Sequence, residues 1–175
     1  NTYGKITEIR RAPETAEFYT KMNAGEAKEW IDDLKSRISI SSPLSYICIL
    51  DTGVNKGHPL LKHVLADSML QSASPTWKTN DHEGHGTEMA GICEYFELEP
   101  LLTGSESVEL NHHLESVKIL PDDGTQTDPK LYGAITSDAA SLAEIANPEV
   151  KRVFCMAVTA DKYVTKDGTP SSWSA

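Results

Sequence analysis

Three short apolar runs, separated by stretches with helical periodicity, place the tightest limit on the fold of this chain. The runs cover residues 46–50, 116–120 and 153–158. Apolar runs of this length are typical of strands that are covered on both faces of a sheet. Strands that alternate with helices form parallel α/β sheets. The sequence therefore predicts an α/β fold, with a parallel sheet and helices on both faces.

Three helices are predicted around these strands. The first follows Asn23, which forms a capping box with Glu26. Its apolar face consists of Ala27, Trp30, Ile31, Leu34 and Ile38. The second helix covers about residues 85–96, and the third runs from about residue 129, after the cap Asp128, to 147, with Ile135, Leu142 and Ile145 on its apolar face. Residues 1–22 are polar and predict an irregular lead-in, and Ser41-Ser42-Pro43 predicts a break before the first strand.

Charge and cysteine content exclude several classes of partner. The formal net charge of −10 argues against nucleic acid, which binds clustered Lys and Arg. No apolar run approaches the roughly 18 to 20 residues needed to span a bilayer, so we expect no membrane partner. Cys48, Cys93 and Cys155 show no C-x-x-C spacing and lie in apolar stretches, which indicates reduced thiols and a cytoplasmic protein.

Two polar segments follow the first predicted strand. Asp51 ends that strand, and ligands of parallel sheets bind beyond the carboxyl ends of the strands. His85 lies in the segment Asp81-His82-Glu83-Gly84-His85-Gly86-Thr87, at the start of the second predicted helix. We interpret Gly84 and Gly86 as positions where the backbone passes close to a substrate. An Asp and a His in this order suit a site where a carboxylate orients an imidazole base.

These segments resemble the subtilase family of subtilisin-like serine peptidases. The resemblance rests on Ile49-Leu50-Asp51-Thr52-Gly53-Val54, on Gly57-His58-Pro59-Leu60-Leu61, and on His85-Gly86-Thr87 followed by Met89-Ala90-Gly91. It implies a subtilisin-like fold and hydrolysis of peptide bonds by an Asp-His-Ser triad. Asp51 would orient the base and His85 would be the general base, without metal or cofactor. His58 would support the loop after Asp51.

The third predicted strand is similar to the family's substrate-binding strand. On that match the backbone of Ala157, Val158 and Thr159 would pair with an extended peptide or protein substrate. The strings at residues 114–120, 153–160 and 170–175 are similar to a bacterial intracellular branch of the family. That similarity implies an ATPase partner.

The family's nucleophile string, Gly-Thr-Ser-x-Ala, does not occur in the 175 residues. Ser171, Ser172 and Ser174 adjoin Pro170, and a helix cap explains them. We therefore expect a truncated catalytic domain, with the nucleophile and the oxyanion donor beyond Ala175 and no activity in this chain alone. Residues 1–43 would be an arm with a flanking helix, and residues 44–175 the partial catalytic domain. Apolar surface left by the absent half would promote self-association.

Three other functions remain open from the residues. Asp51-Thr52-Gly53 is also an aspartic-peptidase signature, which requires a second copy and an all-β chain. His82, Glu83, His85 and Glu88 could join Asp51 as ligands of a metal-dependent hydrolase. A degenerate subtilase without its serine would instead be a non-catalytic binding or regulatory module.

Overall fold

A computed structural model of the chain describes residues 17–122 and 127–158. The helices are α1 (Glu17–Lys21), α2 (Ala24–Arg37), α3 (His85–Tyr95), α4 (Leu98–Thr103) and α5 (Tyr132–Ala146). The strands are β1 (Ile38–Asp51), β2 (Leu70–Ser72), β3 (Val108–Lys118) and β4 (Arg152–Cys155). Their order in the sheet is β2-β3-β1-β4, and each pair of neighbours is parallel. The predicted parallel α/β fold is confirmed.

Helices cover both faces of the sheet, and the side chains of β1 alternate between them. Ile49 belongs to the core that also contains Ala90 of α3, whereas Leu50 belongs to a second core with Ala139 and Ala143 of α5. This alternation follows from the two-residue period of a strand. Because both faces are covered, the strand sequence is apolar throughout at residues 47–50 rather than alternating.

Strand β1 begins earlier than the sequence predicted. Ile38, which was assigned to the preceding helix, is the first residue of the strand. The expected break at Ser41-Ser42-Pro43 is also wrong, because the strand continues through it. The register with β3 shifts between Ile40 and Ser45, so Pro43, which has no N–H, lies where the ladder is already irregular. The predicted boundary between residues 43 and 44 therefore falls inside β1.

Helix α2 begins as predicted, with Asn23 as its cap. The Asn23 side chain accepts hydrogen bonds from the N–H groups of Gly25 and Glu26 at 2.9 and 3.0 Å. The Glu26 carboxylate accepts the N–H of Asn23 at 2.9 Å, which completes the capping box. The lead-in was expected to be irregular, but α1 forms at its end. Residues 1–16 lie outside the described residues.

Strand β3 is longer than predicted, because its first half pairs with the early part of β1. Val108 pairs with Ile38, far upstream of the expected start at Ser116. This first half of the strand contains His112 and His113. They are partly buried, and the ring of His113 meets the ring of Tyr46 edge to face.

Strand β4 is shorter than predicted, since it ends at Cys155 and not at Val158. Val158 packs against the core on the α5 side instead of continuing the sheet. On α5, Ile135 and Leu142 pack as predicted, but Ile145 is 78% exposed. A 3-10 turn at Pro129–Leu131 precedes the helix.

All three cysteines are free, and Cys48 is buried. Within the ranges that the structure describes, no helix has the length and apolar character needed to cross a membrane.

Candidate active site

Asp51 lies at the carboxyl end of β1 and is 1% exposed. Its Oδ1 atom accepts hydrogen bonds from the N–H of Thr52 at 2.7 Å and from Nδ1 of His85 at 2.8 Å. Its Oδ2 atom is buried without a hydrogen-bond partner. A buried carboxylate with so few partners interacts strongly with any cation that approaches it.

His85 is the first residue of α3, and its side chain remains 46% exposed. The hydrogen bond with Asp51 raises the pKa of His85, and the negative charges of Glu88 and Asp81 add to the effect. The Asp51 carboxylate thus stabilises the imidazolium form of a ring that solvent and substrate can reach. Such a ring can accept a proton from a hydroxyl group and return it.

A second buried carboxylate, that of Asp81, connects the Asp51 and His85 segments. Its Oδ1 atom accepts from the hydroxyl of Thr52 at 2.9 Å and from the N–H groups of Glu83 and Gly84 at 3.0 and 2.8 Å. Its Oδ2 atom accepts from the N–H and the hydroxyl of Thr87 at 2.8 and 2.7 Å. Burial opposes ionisation, but these hydrogen bonds outweigh it and lower the pKa of Asp81.

Gly86 allows the two segments to touch. Its N–H donates to the hydroxyl of Thr52 at 2.9 Å, and a β-carbon at this position would collide with the carbonyl oxygen of Gly53. Gly86 therefore lets α3 approach the Asp51 segment, while close passage of a substrate stays a prediction. Gly84 has a φ of 96°, which a glycine adopts without strain.

Lys118 holds the segment that precedes His85 in the sequence. It is fully buried at the end of β3, and its ammonium group donates to the carbonyl of Asn80 at 2.7 Å and to Asp122. The ring of His82 lies 3.2 Å from the Asp122 carboxylate. Neither Lys118 nor Asp81 was predicted from the sequence as a site residue. For Lys118 the overlooked signal was a charged residue inside an apolar run, since a buried charge requires partners. Asp81 stands in a polar segment that carries no such signal.

Of the other predicted site residues, the structure describes His58, Ala157 and Val158. His58 accepts a weak hydrogen bond from the N–H of Leu60 at 3.4 Å, within its own turn. Ala157 and Val158 follow β4 in non-strand conformation, while Thr159 lies outside the described residues. Ser171, Ser172 and Ser174 are outside them as well.

No group of three or more His, Cys, Asp or Glu side chains could hold a metal ion in the part of the chain that the structure describes. The proposed ligand set of His82, Glu83, His85, Glu88 and Asp51 is therefore not assembled there.

The comparison with protein families agrees with this geometry. A model described as the subtilase family matches residues 45–175. No curated protein and no solved structure matched the chain. The parallel sheet and this match contradict the aspartic-peptidase alternative, which requires an all-β chain. Because the match covers most of the sequence, the chain belongs to the subtilase family, a family of serine peptidases.

Proposed function

We propose that the complete polypeptide hydrolyses peptide bonds with an Asp-His-Ser triad, of which this chain contributes Asp51 and His85. The observation that carries the proposal is the 2.8 Å hydrogen bond between Nδ1 of a half-exposed histidine and a buried carboxylate. In such an arrangement the carboxylate fixes the tautomer, which leaves Nε2 free to act as the base.

The reaction assigns one task to each group. A serine hydroxyl attacks the substrate carbonyl while His85 takes its proton. His85 then returns that proton to the leaving amine, and Asp51 stabilises the imidazolium between the two steps. The raised pKa of His85 supports this assignment, because it makes the ring a stronger base than a free histidine.

The nucleophile in this proposal is a serine outside the 175 residues, because no Gly-Thr-Ser-x-Ala string occurs within them. The chain alone would then be inactive, since removal of one triad member abolishes most of the rate enhancement. We place the substrate backbone against Ala157, Val158 and Thr159. These residues follow β4, which is an edge strand of the sheet within the described ranges, and a peptide can pair with the chain at such an edge.

The test compares the complete polypeptide with this chain, using a fluorophosphonate probe and a fluorogenic protein substrate. We expect the probe to label one serine of the complete polypeptide and none of this chain. Asp51→Asn should lower kcat by about 10⁴-fold, because it removes the charge that stabilises the imidazolium. His85→Ala should abolish labelling. Asp67→Asn changes a largely exposed carboxylate elsewhere and should leave both readouts unchanged.

Two results would contradict the proposal in different ways. Labelling of this chain alone would place the nucleophile within the 175 residues. A folded complete polypeptide that is neither labelled nor active would instead favour the degenerate subtilase, a binding or regulatory module.

A further inference from the structure

The hydrogen bond between Asp51 and His85 joins two segments that lie 34 residues apart in sequence. The ring of His85 is half exposed, so packing restrains it only in part. Its orientation toward Asp51 therefore depends on how firmly the backbone on either side of it is held. That backbone belongs to the residues immediately before and after the histidine.

Asp81 holds that backbone on both sides of His85. Its Oδ1 atom accepts the N–H of Gly84, the residue before the histidine, at 2.8 Å. Its Oδ2 atom accepts the N–H and the hydroxyl of Thr87, two residues after it. The two oxygens thus bind the backbone just before His85 and in the first turn of α3.

The same carboxylate also reaches the Asp51 side of the site. The Thr52 hydroxyl donates to Asp81 at 2.9 Å, and it accepts the N–H of Gly86 at 2.9 Å. Thr52 is the residue after Asp51, and its own N–H donates to the Asp51 carboxylate at 2.7 Å. A continuous set of hydrogen bonds therefore runs from Asp51 through Thr52 and Asp81 to the residues around His85.

A cap for α3 alone would not require this arrangement. Capping uses one side-chain oxygen and the first N–H groups of a helix. Asp81 accepts from donors in two separate segments and is itself only 5% exposed. Hydrogen bonds to a buried charge are short and strong, so they fix the relative position of those segments.

We propose that Asp81 is a positioning residue, which holds His85 against Asp51 and so sets the hydrogen bond of the base; this rests on the function proposed above. Asparagine is the informative replacement because it keeps the size of the side chain. It exchanges one of the two accepting oxygens for an NH₂ group, which cannot accept a hydrogen bond. The variant therefore loses the hydrogen bonds either from Gly84 or from Thr87.

The test is an NMR measurement on this chain, which needs no peptidase activity. The readouts are the Nδ1 proton of His85, which shifts downfield while it donates to Asp51, and the pKa of His85 from the ring protons. In Asp81→Asn we expect loss of the downfield Nδ1 signal and a fall of the His85 pKa toward its ordinary value of about 6.5.

Glu88→Gln is the matched control. Glu88 also raises the pKa of His85 through its negative charge. Unlike Asp81, however, its side chain is exposed and does not hold the backbone around His85 by hydrogen bonds. This variant should lower the pKa slightly and keep the Nδ1 signal. The proposal is overturned if Asp81→Asn is folded, keeps the Nδ1 signal and matches the pKa of the control.

Two further variants apply if Asp81→Asn does not fold. Thr87→Val removes one hydroxyl donor to Asp81 and should broaden or weaken the Nδ1 signal, whereas Thr87→Ser restores the hydroxyl and should recover it. Equal Nδ1 signals in these two variants would also overturn the proposal. Because none of these readouts uses a serine or a substrate, an inactive complete polypeptide would refute the peptidase function without changing the result for Asp81.

Discussion

The carbonyl oxygen of Gly53 occupies the space that a side chain on Gly86 would need. This contact brings the Asp51 segment against the first turn of α3, one residue from His85. The hydrogen bond between Asp51 and His85 therefore depends on Gly86, although Gly86 takes no part in that bond.

Replacing Gly86 with alanine should separate the two segments. We expect a loss of about 1–3 kcal/mol in the free energy of unfolding, typical of an overpacked contact, because the obstacle is backbone. Urea titration measures it. Gly91→Ala is the control, since a β-carbon there meets nothing within 4 Å and alanine favours helix by roughly 0.5–1 kcal/mol. Equal stabilities for the two variants would contradict the prediction.

The Asp51–His85 pair should make stability depend on pH. The folded-state pKa of His85 is raised by its hydrogen bond with Asp51. Its contribution is therefore fully present below the unfolded pKa of about 6.5 and is lost as the pH rises through the raised folded value. Thermal unfolding from pH 5 to 9 should show this loss in the native chain. In Asp51→Asn this loss of stability with rising pH should disappear. The same pH dependence in the native chain and in the variant would contradict the prediction.

Glu94 of α3 should produce a second pH dependence. Both of its carboxylate oxygens are buried without hydrogen bonds, and burial raises its pKa to about 7. His112 does not offset this, because its Nε2 atom is 3.6 Å away, too far for a hydrogen bond. The folded state then holds a proton that the unfolded state releases above about pH 4.5, so stability falls between that pH and about 7.

Glu94→Gln should remove this fall and stabilise the protein at pH 8 by on the order of 3 kcal/mol. Denaturant unfolding at pH 5 and pH 8 measures the effect. Glu97→Gln, an exposed neighbour, should leave the pH dependence unchanged. A Glu94 variant less stable than the native chain at pH 8 would show that the carboxylate is paired in solution.

Replacing only one partner of the ion pair between Arg152 and Glu115 should lower the stability of the fold strongly. Arg152 donates to Glu115 at 2.7 and 3.0 Å, and both side chains are less than a tenth exposed. Arg152→Met leaves a buried charge without its partner, which costs about 3–5 kcal/mol. The double variant with Glu115→Met should recover most of that loss. A double-mutant cycle with no coupling would contradict this account.

The outer edge of β4 should support self-association. Val153 is 65% exposed and Phe154 is 37% exposed on an edge strand, and such edges pair with other chains unless a charge protects them. Val153→Lys should therefore lower the apparent mass in light scattering at high protein concentration. Ile145→Lys changes an apolar residue on a helix that is even more exposed, at 78%, and should have no effect. A monomeric native chain would refute the prediction.

The sequence predicted the fold best where one short segment decides the structure. The apolar run ending at Asp51 and the capping box at Asn23 gave a strand end and a helix start that agree with the structure. The predicted start of β1 was wrong because the first half of the strand is rich in serine and contains Pro43. There the hydroxyl of Ser41 donates to the carbonyl of Leu110 at 3.2 Å, so a residue typical of a break takes part in strand pairing.

The site was predictable only in part, for a related reason. Asp51 and His85 stand in recognisable segments, and the structure brings them within hydrogen-bond distance. Asp81 and Lys118 take their roles from donors and acceptors in other segments, such as Thr52 and Asn80. No local periodicity or spacing records such bonds between segments, so they become visible only in three dimensions.

The parallel sheet also has a kinetic consequence. Ile38 pairs with Val108, and Ile49 pairs with Cys155, so the central strand gains its partners only after long loops have closed. Contacts this distant in sequence slow folding, because loop entropy is lost before the contacts form. The Asp51–His85 pair at the end of β1 should therefore assemble late, and the strand edges should stay unpaired and prone to aggregation until then.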